Sequence, residues 1–466
     1  MNRRRVAVLS VFFALTALAL AAPPSSALEI KQMTLSNGAI LLVAEQHQLP
    51  MVTMAIAFDA GSRRDPAGKE GIANLTASCL TLGTQSLSAA QFNQKVDFMG
   101  SSVTVAASQD FAEASLTSLK KYEGDTLKLL AGILQHPALH DDDIVRKRAE
   151  VMAAIKAAQE QPGYVAGVTF RKQLFGSGPY GHPPEGFADT VAKLTPDDVR
   201  SFYKQYYKMG SAVIAVVGDV DANQIKTELE KELSGPSGTV KPQPVPSPLK
   251  VASGVHLKLV DRNVSQANIV MGFPGVERSN PDFYRLQVMN YILGGGGFAS
   301  RLMQVVRTQS GLAYSIGSTF EAGKFPGAFR IVLQTKNASS NKALRLSIEQ
   351  LKLMRTQAPA NAQMASAKKF LIGSFPLKLD RQSALANFML ALQLYHLGLN
   401  YAEQYPKYIN GVTGQNVLEV ARMYLHPDAM IVVAVANQSK ASINAKELQE
   451  EAKPQASPTA QPTPTS

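Results

Sequence analysis

The sequence has little cysteine, few long apolar runs and no basic stripe interleaved with aromatics, and each shortage excludes a class of protein. Cys79 is the single cysteine among 466 residues, so the chain forms no internal disulfide. One apolar stretch near the start is short for a membrane span, and nothing comparable follows it. The formal net charge is +11, but the lysines and arginines are not arranged in a stripe with aromatic residues, as nucleic-acid binding would require. We therefore expect neither a nucleic-acid partner nor a stable membrane anchor.

Residues 1–27 have the layout of a secretory signal peptide. A head of three arginines, residues 3–5, precedes an apolar stretch over residues 6–22, and small residues lead up to Ala27. Cleavage is predicted after Ala27, with Ala22 as the alternative. Because no cysteine lies near this region, we expect no lipoprotein anchor. Loss of the three arginines lowers the net charge from +11 to +8. We expect an exported mature chain, most simply in a bacterial periplasm.

An internal repeat indicates two related halves. The order of elements over 194–218 recurs over 412–436, with Thr195 and Thr413 as predicted helix N-caps before a β-branched strand. With 45% apolar residues, the chain is long enough to bury a core in each half. We expect α+β halves over 28–233 and 251–440, joined by a Pro-, Gly- and Ser-rich linker over 234–250. The Pro- and Thr-rich tail, residues 441–466, is expected to be disordered.

Residues 61–84, GSRRDPAGKEGIANLTASCLTLGT, contain a helical pattern. Four apolar residues recur at helical spacing and predict a face that packs inward: Ile72, Leu75, Cys79 and Leu82. Asn74, Ala77 and Ser78 share a second face of the same helix. None of these three is a histidine, aspartate or glutamate, so this face offers no strong metal ligand.

This run resembles the zinc helix of the M16 (pitrilysin/insulinase-type) metallopeptidases, whose motif H-x-x-E-H lies within G-x-A-H-x-x-E-H-x-x-x-x-G-T. Asn74 and Ser78 stand where the family has its zinc-binding histidines, and Ala77 stands where it has the water-activating glutamate. The family's third ligand, a glutamate on a later helix, falls on Ala154 or its neighbour Ala153. The resemblance therefore implies a chain without zinc, inactive as a peptidase by itself.

A second stretch of the resemblance keeps groups that bind substrate in the family. Residues 293–302 read LGGGGFASRL, and Arg307 and Tyr314 then follow seven residues apart, as in M16 enzymes. The resemblance implies that this pair hydrogen-bonds a peptide carbonyl and stabilises its developing oxyanion at a zinc site in another chain. Spacing alone is also satisfied by Arg307 in a surface salt bridge and Tyr314 half-buried in a strand.

The resemblance covers roughly residues 30–440 and implies the LuxS/MPP-like fold, with two α/β sandwich halves. The resemblance is greatest to the non-zinc subunits of the two-chain M16B branch, such as the alpha subunit of the mitochondrial processing peptidase. It implies a heterodimer with an H-x-x-E-H-bearing subunit, which brings the zinc, and an extended peptide as substrate. Substrate contacts are expected along an edge strand at Ser102, Val103 and Thr104, and at a flexible glycine loop over 294–297.

Other assignments are open at this point. A structural or peptide-binding M16-like protein without catalysis is the main alternative, and an autonomous peptidase would need substitute ligands. His136 and His140 are four residues apart, but Pro137 between them favours a surface connection over a metal-binding helix. The glycines at 294–297 echo a dinucleotide loop without the required strand-turn-helix context, so we expect no bound nucleotide.

Overall fold

The computed structural model describes residues 28–234, 238–247, 249 and 251–453. The predicted signal peptide, residues 1–27, lies outside the described residues. Within those ranges, no helix combines the length and the apolarity needed to cross a membrane. The described chain is organised around two sheets, one in each half.

The first half contains a six-stranded sheet in the order β1-β2-β6-β3-β5-β4. Its strands are β1 (Lys31–Thr34), β2 (Ile40–Glu45), β3 (Met51–Phe58), β4 (Ser102–Ala107), β5 (Ala112–Leu119) and β6 (Val213–Gly218). Its helices are α1 (Ile72–Leu80), α2 (Ala89–Phe98), α3 (Glu123–Gln135), α4 (Asp141–Gln159), α5 (Pro162–Phe175), α6 (Ala188–Val191), α7 (Pro196–Tyr206) and α8 (Ala222–Glu232). Only β2 and β6 pair in parallel in this sheet, and β4 is left as an edge strand.

The second half contains a five-stranded sheet in the order β7-β11-β8-β10-β9. Its strands are β7 (Gly254–Asp261), β8 (Gln266–Pro274), β9 (Ala313–Phe320), β10 (Ala328–Lys336) and β11 (Ala429–Ala436). Its α-helices are α9 (Phe283–Asn290), α10 (Ser340–Thr356), α11 (Asn361–Ser374), α12 (Gln382–Leu394), α13 (Tyr401–Asn410), α14 (Gly414–Tyr424) and α15 (Ala445–Ala452). Two π-helices, Tyr291–Gly295 and Met303–Gln309, lie between α9 and β9.

The two halves share one topology, which confirms the expected α+β pair. The order β2-β6-β3-β5-β4 matches β7-β11-β8-β10-β9, and β7 pairs in parallel with β11 as β2 does with β6. The Thr195 hydroxyl accepts from the Asp198 N–H at 3.2 Å, and the Thr413 hydroxyl accepts from the Asn416 N–H at 3.1 Å. Both predicted caps therefore begin the helix that leads into an interior strand of its sheet.

Each sheet is covered on one face by a helix from the opposite half. All residues of β6 are buried, as are nearly all of β11, so both faces of these central strands need apolar cover. Helix α12 of the second half packs on β3 and β6, and α5 of the first half packs on β8 and β11. Met389 and Phe170 belong to these two contacts and are 0% and 2% exposed. The exchange of helices joins the halves into one unit.

A buried carboxylate adds a polar link between the halves. The Tyr180 hydroxyl donates to Asp110 Oδ1 at 2.5 Å, and the Tyr395 hydroxyl donates to Asp110 Oδ2 at 3.2 Å. The Lys324 backbone N–H donates to the same Oδ2 at 2.8 Å. Burial, followed by the nearby Asp110 charge, raises the pKa of Tyr180. Asp110 thus ties one segment of the first half to two segments of the second.

The expected linker follows the surface of the first half. Residues 238–247 form neither helix nor strand. The Val240 N–H donates to the Ser211 hydroxyl at 2.8 Å, and the Gln243 side-chain amide donates to the Arg63 carbonyl at 3.0 Å. These bonds anchor the described part of the connection to the first half.

The expected disordered tail is wrong for residues 441–453, because α15 lies within them. The Asn444 side chain accepts from the N–H groups of Lys446 and Glu447 and caps this helix. Leu448 and Ala452 are buried where α15 packs against α10 and β7. Residues 454–466 lie outside the described residues.

Candidate functional site

Helix α1, which contains the degenerate zinc motif, is fixed at its start by the buried carboxylate of Asp65. Asp65 accepts hydrogen bonds from the N–H groups of Gly71 and Ala73 at 2.7 and 3.0 Å, at the start of α1. Gly71 has φ of 100°, a left-handed conformation that glycine adopts without strain, and the helix begins at Ile72. Burial raises the pKa of Asp65 well above its usual value, whereas these two N–H groups lower it. The helix start is therefore fixed independently of any metal.

The three motif positions on α1 do not form an open metal-binding face. Ala77 is 0% exposed and belongs to the core of the first half, whereas Asn74 and Ser78 are half-buried. Helix α1 places Asn74, Ala77 and Ser78 on one face, as expected, and neighbouring groups cover Ala77 completely. Helix α1 packs against α4, which carries Ala153 and Ala154, and both of these alanines are exposed.

Other potential donors near α1 do not replace the missing ligands. Cys79 is 1% exposed, and burial raises the pKa of its thiol to about 12, so the metal-binding thiolate is disfavoured. Glu150 on α4 is hydrogen-bonded to Lys147 at 2.5 Å and to Arg146 at 3.2 Å. Within the described ranges, no group of three histidine, cysteine, aspartate or glutamate side chains converges on a possible metal position. The zinc that the fold implies does not fit the residues present.

Arg307 lies in the π-helix Met303–Gln309, and its guanidinium contacts an aromatic ring and a thioether. The guanidinium carbon stands 4.8 Å from the centre of the Phe298 ring, and Nη1 contacts the Met303 sulfur at 3.9 Å. No ion pair in the described part of the chain involves Arg307, so the salt-bridge alternative does not hold here. Phe298 is itself 64% exposed. The guanidinium is therefore supported by an aromatic face and keeps donors for another molecule.

Tyr314 occupies a β-bulge at the start of the edge strand β9. Gln334 pairs with Ser315 and Thr335 pairs with Ala313, which leaves Tyr314 as the extra residue. Its side chain is 69% exposed, so the half-buried alternative is excluded. Because a bulge re-aims the side chain it carries, this local irregularity turns a phenol outward at the sheet edge.

A short turn connects the arginine to the tyrosine. The Gly311 N–H donates to the Arg307 carbonyl at 3.0 Å, and Gly311 has φ of 62°. The Thr335 hydroxyl donates to the Leu312 carbonyl at 2.6 Å and ties this turn to β10. The two side chains therefore belong to one locally braced structure. They lie in the half opposite to α1, and no hydrogen bond or ion pair of the described residues links the pair to Asn74 or Ser78.

The glycine run does not form the flexible loop expected from the sequence. Gly294 and Gly295 end a π-helix, and Gly297 begins a 3-10 turn. A Cβ on Gly294 would lie 2.4 Å from the Ser318 hydroxyl, and one on Gly296 would lie 2.6 Å from the Tyr291 carbonyl. Close packing, rather than loop freedom, requires glycine at these positions. Gly295 and Gly297 remain exposed beside Phe298, so contact with a substrate stays a prediction.

The predicted substrate strand is the edge strand β4. Ser102 and Thr104 are exposed, whereas Val103 is half-buried against the core of the first half. No strand pairs with the outer side of β4 within the described residues. Its backbone can accept an added strand, and its role in peptide binding remains a prediction.

The two histidines of the possible metal pair lie in a connection. His136 and His140 are exposed between α3 and α4, and Leu139 between them has φ of 45°. The spacing of four residues therefore does not place them on one face of a helix.

Sequence reasoning also missed a half-buried acid, Glu113 on β5, because a lone glutamate in an alternating strand gives no signal of what lies across the sheet.

Comparison with protein families covers both halves. The family model for Insulinase (Peptidase family M16) matches residues 41–181, and the model for the Peptidase M16 inactive domain matches residues 193–371. The curated non-peptidase homolog YmxG of Helicobacter pylori is 26% identical over 402 residues, which are 86% of this chain and 92% of that protein. An uncharacterized zinc protease of Streptomyces coelicolor is 25% identical over 365 residues, 77% of this chain and 79% of that protein.

Solved structures show the same fold. A crystal structure of a peptidase M16 inactive domain from Pseudomonas fluorescens has a TM-score of 0.82 and 27% identity, covering 88% of this chain and 98% of that one. A protease from Helicobacter pylori, at 20% identity, has a TM-score of 0.78 and covers 88% of this chain and 100% of that one. The relatives thus include proteins named as proteases and as non-peptidases, and the residues of this chain fit the second description.

Proposed function

Because the chain belongs to the M16 peptidase family, we propose that it is the non-zinc subunit of an exported two-chain metalloendopeptidase. It closes with its partner on an extended peptide and supplies Arg307 and Tyr314 in trans. The partner carries an intact H-x-x-E-H motif and brings the zinc and the general base. The observation that carries this proposal is the bulge that exposes Tyr314, seven residues after an arginine that forms no ion pair within the described residues.

The chemistry of the pair suits a peptide carbonyl. A guanidinium and a phenol both donate hydrogen bonds, and a carbonyl oxygen gains negative charge when water attacks its carbon. Donors that meet this oxygen stabilise the transition state more than the bound peptide, which lowers the barrier. The exchanged helices join the two halves of this chain, so closure around a substrate is assigned to movement between the two subunits.

The test is hydrolysis by the reconstituted complex. The mature chain is purified with an H-x-x-E-H-bearing M16 chain of the same organism, for which the neighbouring reading frame is the first candidate. Cleavage of an unstructured fluorogenic peptide is then compared for wild type, Arg307→Ala and Tyr314→Phe. Loss of one oxyanion donor is expected to lower kcat about 100-fold. Arg345→Ala and Tyr408→Phe, which alter partly exposed residues outside the pair, serve as matched controls.

A structural or peptide-binding role without catalysis is the second candidate. The 26% identity to a protein named a non-peptidase homolog favours this role. The same assay separates the two functions. If complexes with Arg307→Ala and Tyr314→Phe assemble normally and cleave at the wild-type rate, the pair has no catalytic part and the structural role is correct.

A further inference from the structure

A cavity of about 330 Å³ opens at the carboxyl-terminal end of β4. Its walls are largely apolar and come from both halves: Ala106 and Ala107 from β4, and Leu390 and Leu394 from α12. The carboxylate of Glu113 on β5 also lines it. The cavity therefore combines an apolar wall with one acidic group, directly beside a free strand edge.

Glu113 is a half-buried acid whose hydrogen-bond partners are uncharged among the described residues. Its Oε1 accepts a hydrogen bond from the Ser115 hydroxyl at 2.6 Å. When the Asn387 amide is oriented with its nitrogen toward Glu113, that nitrogen lies 3.0 Å from the same oxygen. Both neighbours are uncharged, and no lysine, arginine or histidine of the described residues forms an ion pair with Glu113. Its negative charge thus remains available to a ligand that enters the cavity.

The strand register places this charge within reach of a peptide on β4. Ala106 pairs directly with Glu113, and Ala57 of β3 pairs with Glu113 on its other side, so all three share one face of the sheet. A strand added to β4 would lie about 10 Å from β5, two strand spacings away. Ala106 is the β4 residue between them on this face, and its side chain is a single methyl group. A long side chain from the added strand can therefore cross Ala106 and bring its end to Glu113.

We propose that this cavity is a subsite for a lysine or arginine side chain of an extended peptide bound along β4. The apolar wall packs against the aliphatic part of that side chain, and Glu113 pairs with its charged end. The proposal rests on the proposed peptide-binding function and adds a preference for one side chain. It places a specificity determinant on the chain that lacks the zinc.

The test measures binding to the purified mature chain without its partner. Two fluorescein-labelled octapeptides of alternating valine and threonine are compared by anisotropy, one with a central lysine and one with norleucine, its uncharged analogue, at that position. Wild type is expected to bind the lysine peptide about tenfold more tightly. Glu113→Gln, which keeps the side-chain shape, should remove this difference and leave the norleucine affinity unchanged. Glu160→Gln, at an exposed acid after α4, is the matched charge control.

The outcomes separate the subsite from the function on which it rests. Equal affinity of both peptides for wild type, or a lysine preference that survives in Glu113→Gln, overturns the subsite and leaves peptide binding on β4 intact. Failure of both peptides to bind overturns the subsite together with peptide binding on β4. Loss of the preference in Glu113→Gln, with an unchanged thermal midpoint and a normal Glu160→Gln control, supports the subsite.

Discussion

The two halves share one sheet topology, yet they differ at the helix and edge strand where chemistry is expected. In the first half, the position of the general base is a core alanine, Ala77, and the remaining motif positions lack metal ligands. In the second half, the corresponding region contains two π-helices and a bulge that exposes Tyr314. Such irregular features cost stability and are frequent at functional sites. The contrast is therefore between a motif helix without metal ligands in the first half and an irregular, exposed surface around Tyr314 in the second.

The largest expected change in the free energy of unfolding comes from placing a glutamate at position 77, where the family motif has its general base. Ala77→Glu would place an unpaired carboxylate in the core of the first half and should lower the free energy of unfolding by about 4 kcal/mol. Asn74→His, at a half-buried position of the same helix, should change it by less than about 1 kcal/mol. Urea denaturation measures both. An Ala77→Glu chain as stable as wild type would show that space for the catalytic glutamate persists and that the first half is not closed.

The exchanged helices predict that the halves unfold together although their surfaces differ. Met389→Ala on α12 and Phe170→Ala on α5 should each lower the free energy of unfolding by about 3 kcal/mol. Both variants should keep a single transition, because each helix completes the core of the opposite half. Leu377→Ala, at a residue 72% exposed, is the neutral control. Two separate calorimetric transitions in either variant would mean that the halves are independent domains.

The smallest effect concerns the repeated helix caps, at which the halves are alike. Thr195→Ala and Thr413→Ala each remove a hydroxyl that accepts a backbone N–H at the start of α7 or α14. Each should cost about 1 kcal/mol, and the two costs should add in the double variant because the sites are distant. Serine at either position should restore most of the loss. If only one of the two substitutions lowered the free energy of unfolding, the two capped helices would not be equivalent in the two halves.

Much of the fold could be predicted from the sequence because it depends on local signals. Thr195 and Thr413 marked equivalent helices, and the spacing around Leu75 marked the helix of the degenerate motif. The exchange of α5 and α12 could not be predicted, because a buried strand such as β6 shows that both faces are covered but not by which element. Helix α15 was missed because the Pro- and Thr-rich composition after residue 453 was extended to the residues before it.

The site could be predicted only in part, for a similar reason. Residue types alone showed that Asn74, Ala77 and Ser78 cannot replace the motif. The bulge at Tyr314 depends on the register between β9 and β10, which no local pattern reveals. The packing of Gly294 against Ser318 and the position of Glu113 across from Ala106 also arise from pairing between distant segments. Spacing therefore identified the candidate pair, and only the structure showed how each side chain is presented.

The most direct test is to assay peptide hydrolysis and bound zinc for the purified chain, residues 28–466, alone and with the proposed H-x-x-E-H-bearing partner. The account predicts no stoichiometric zinc and no hydrolysis for the chain alone, and chelator-sensitive hydrolysis for the pair that exceeds the activity of the partner by itself. Chelator-sensitive cleavage by the isolated chain, with one bound zinc per molecule, would contradict it.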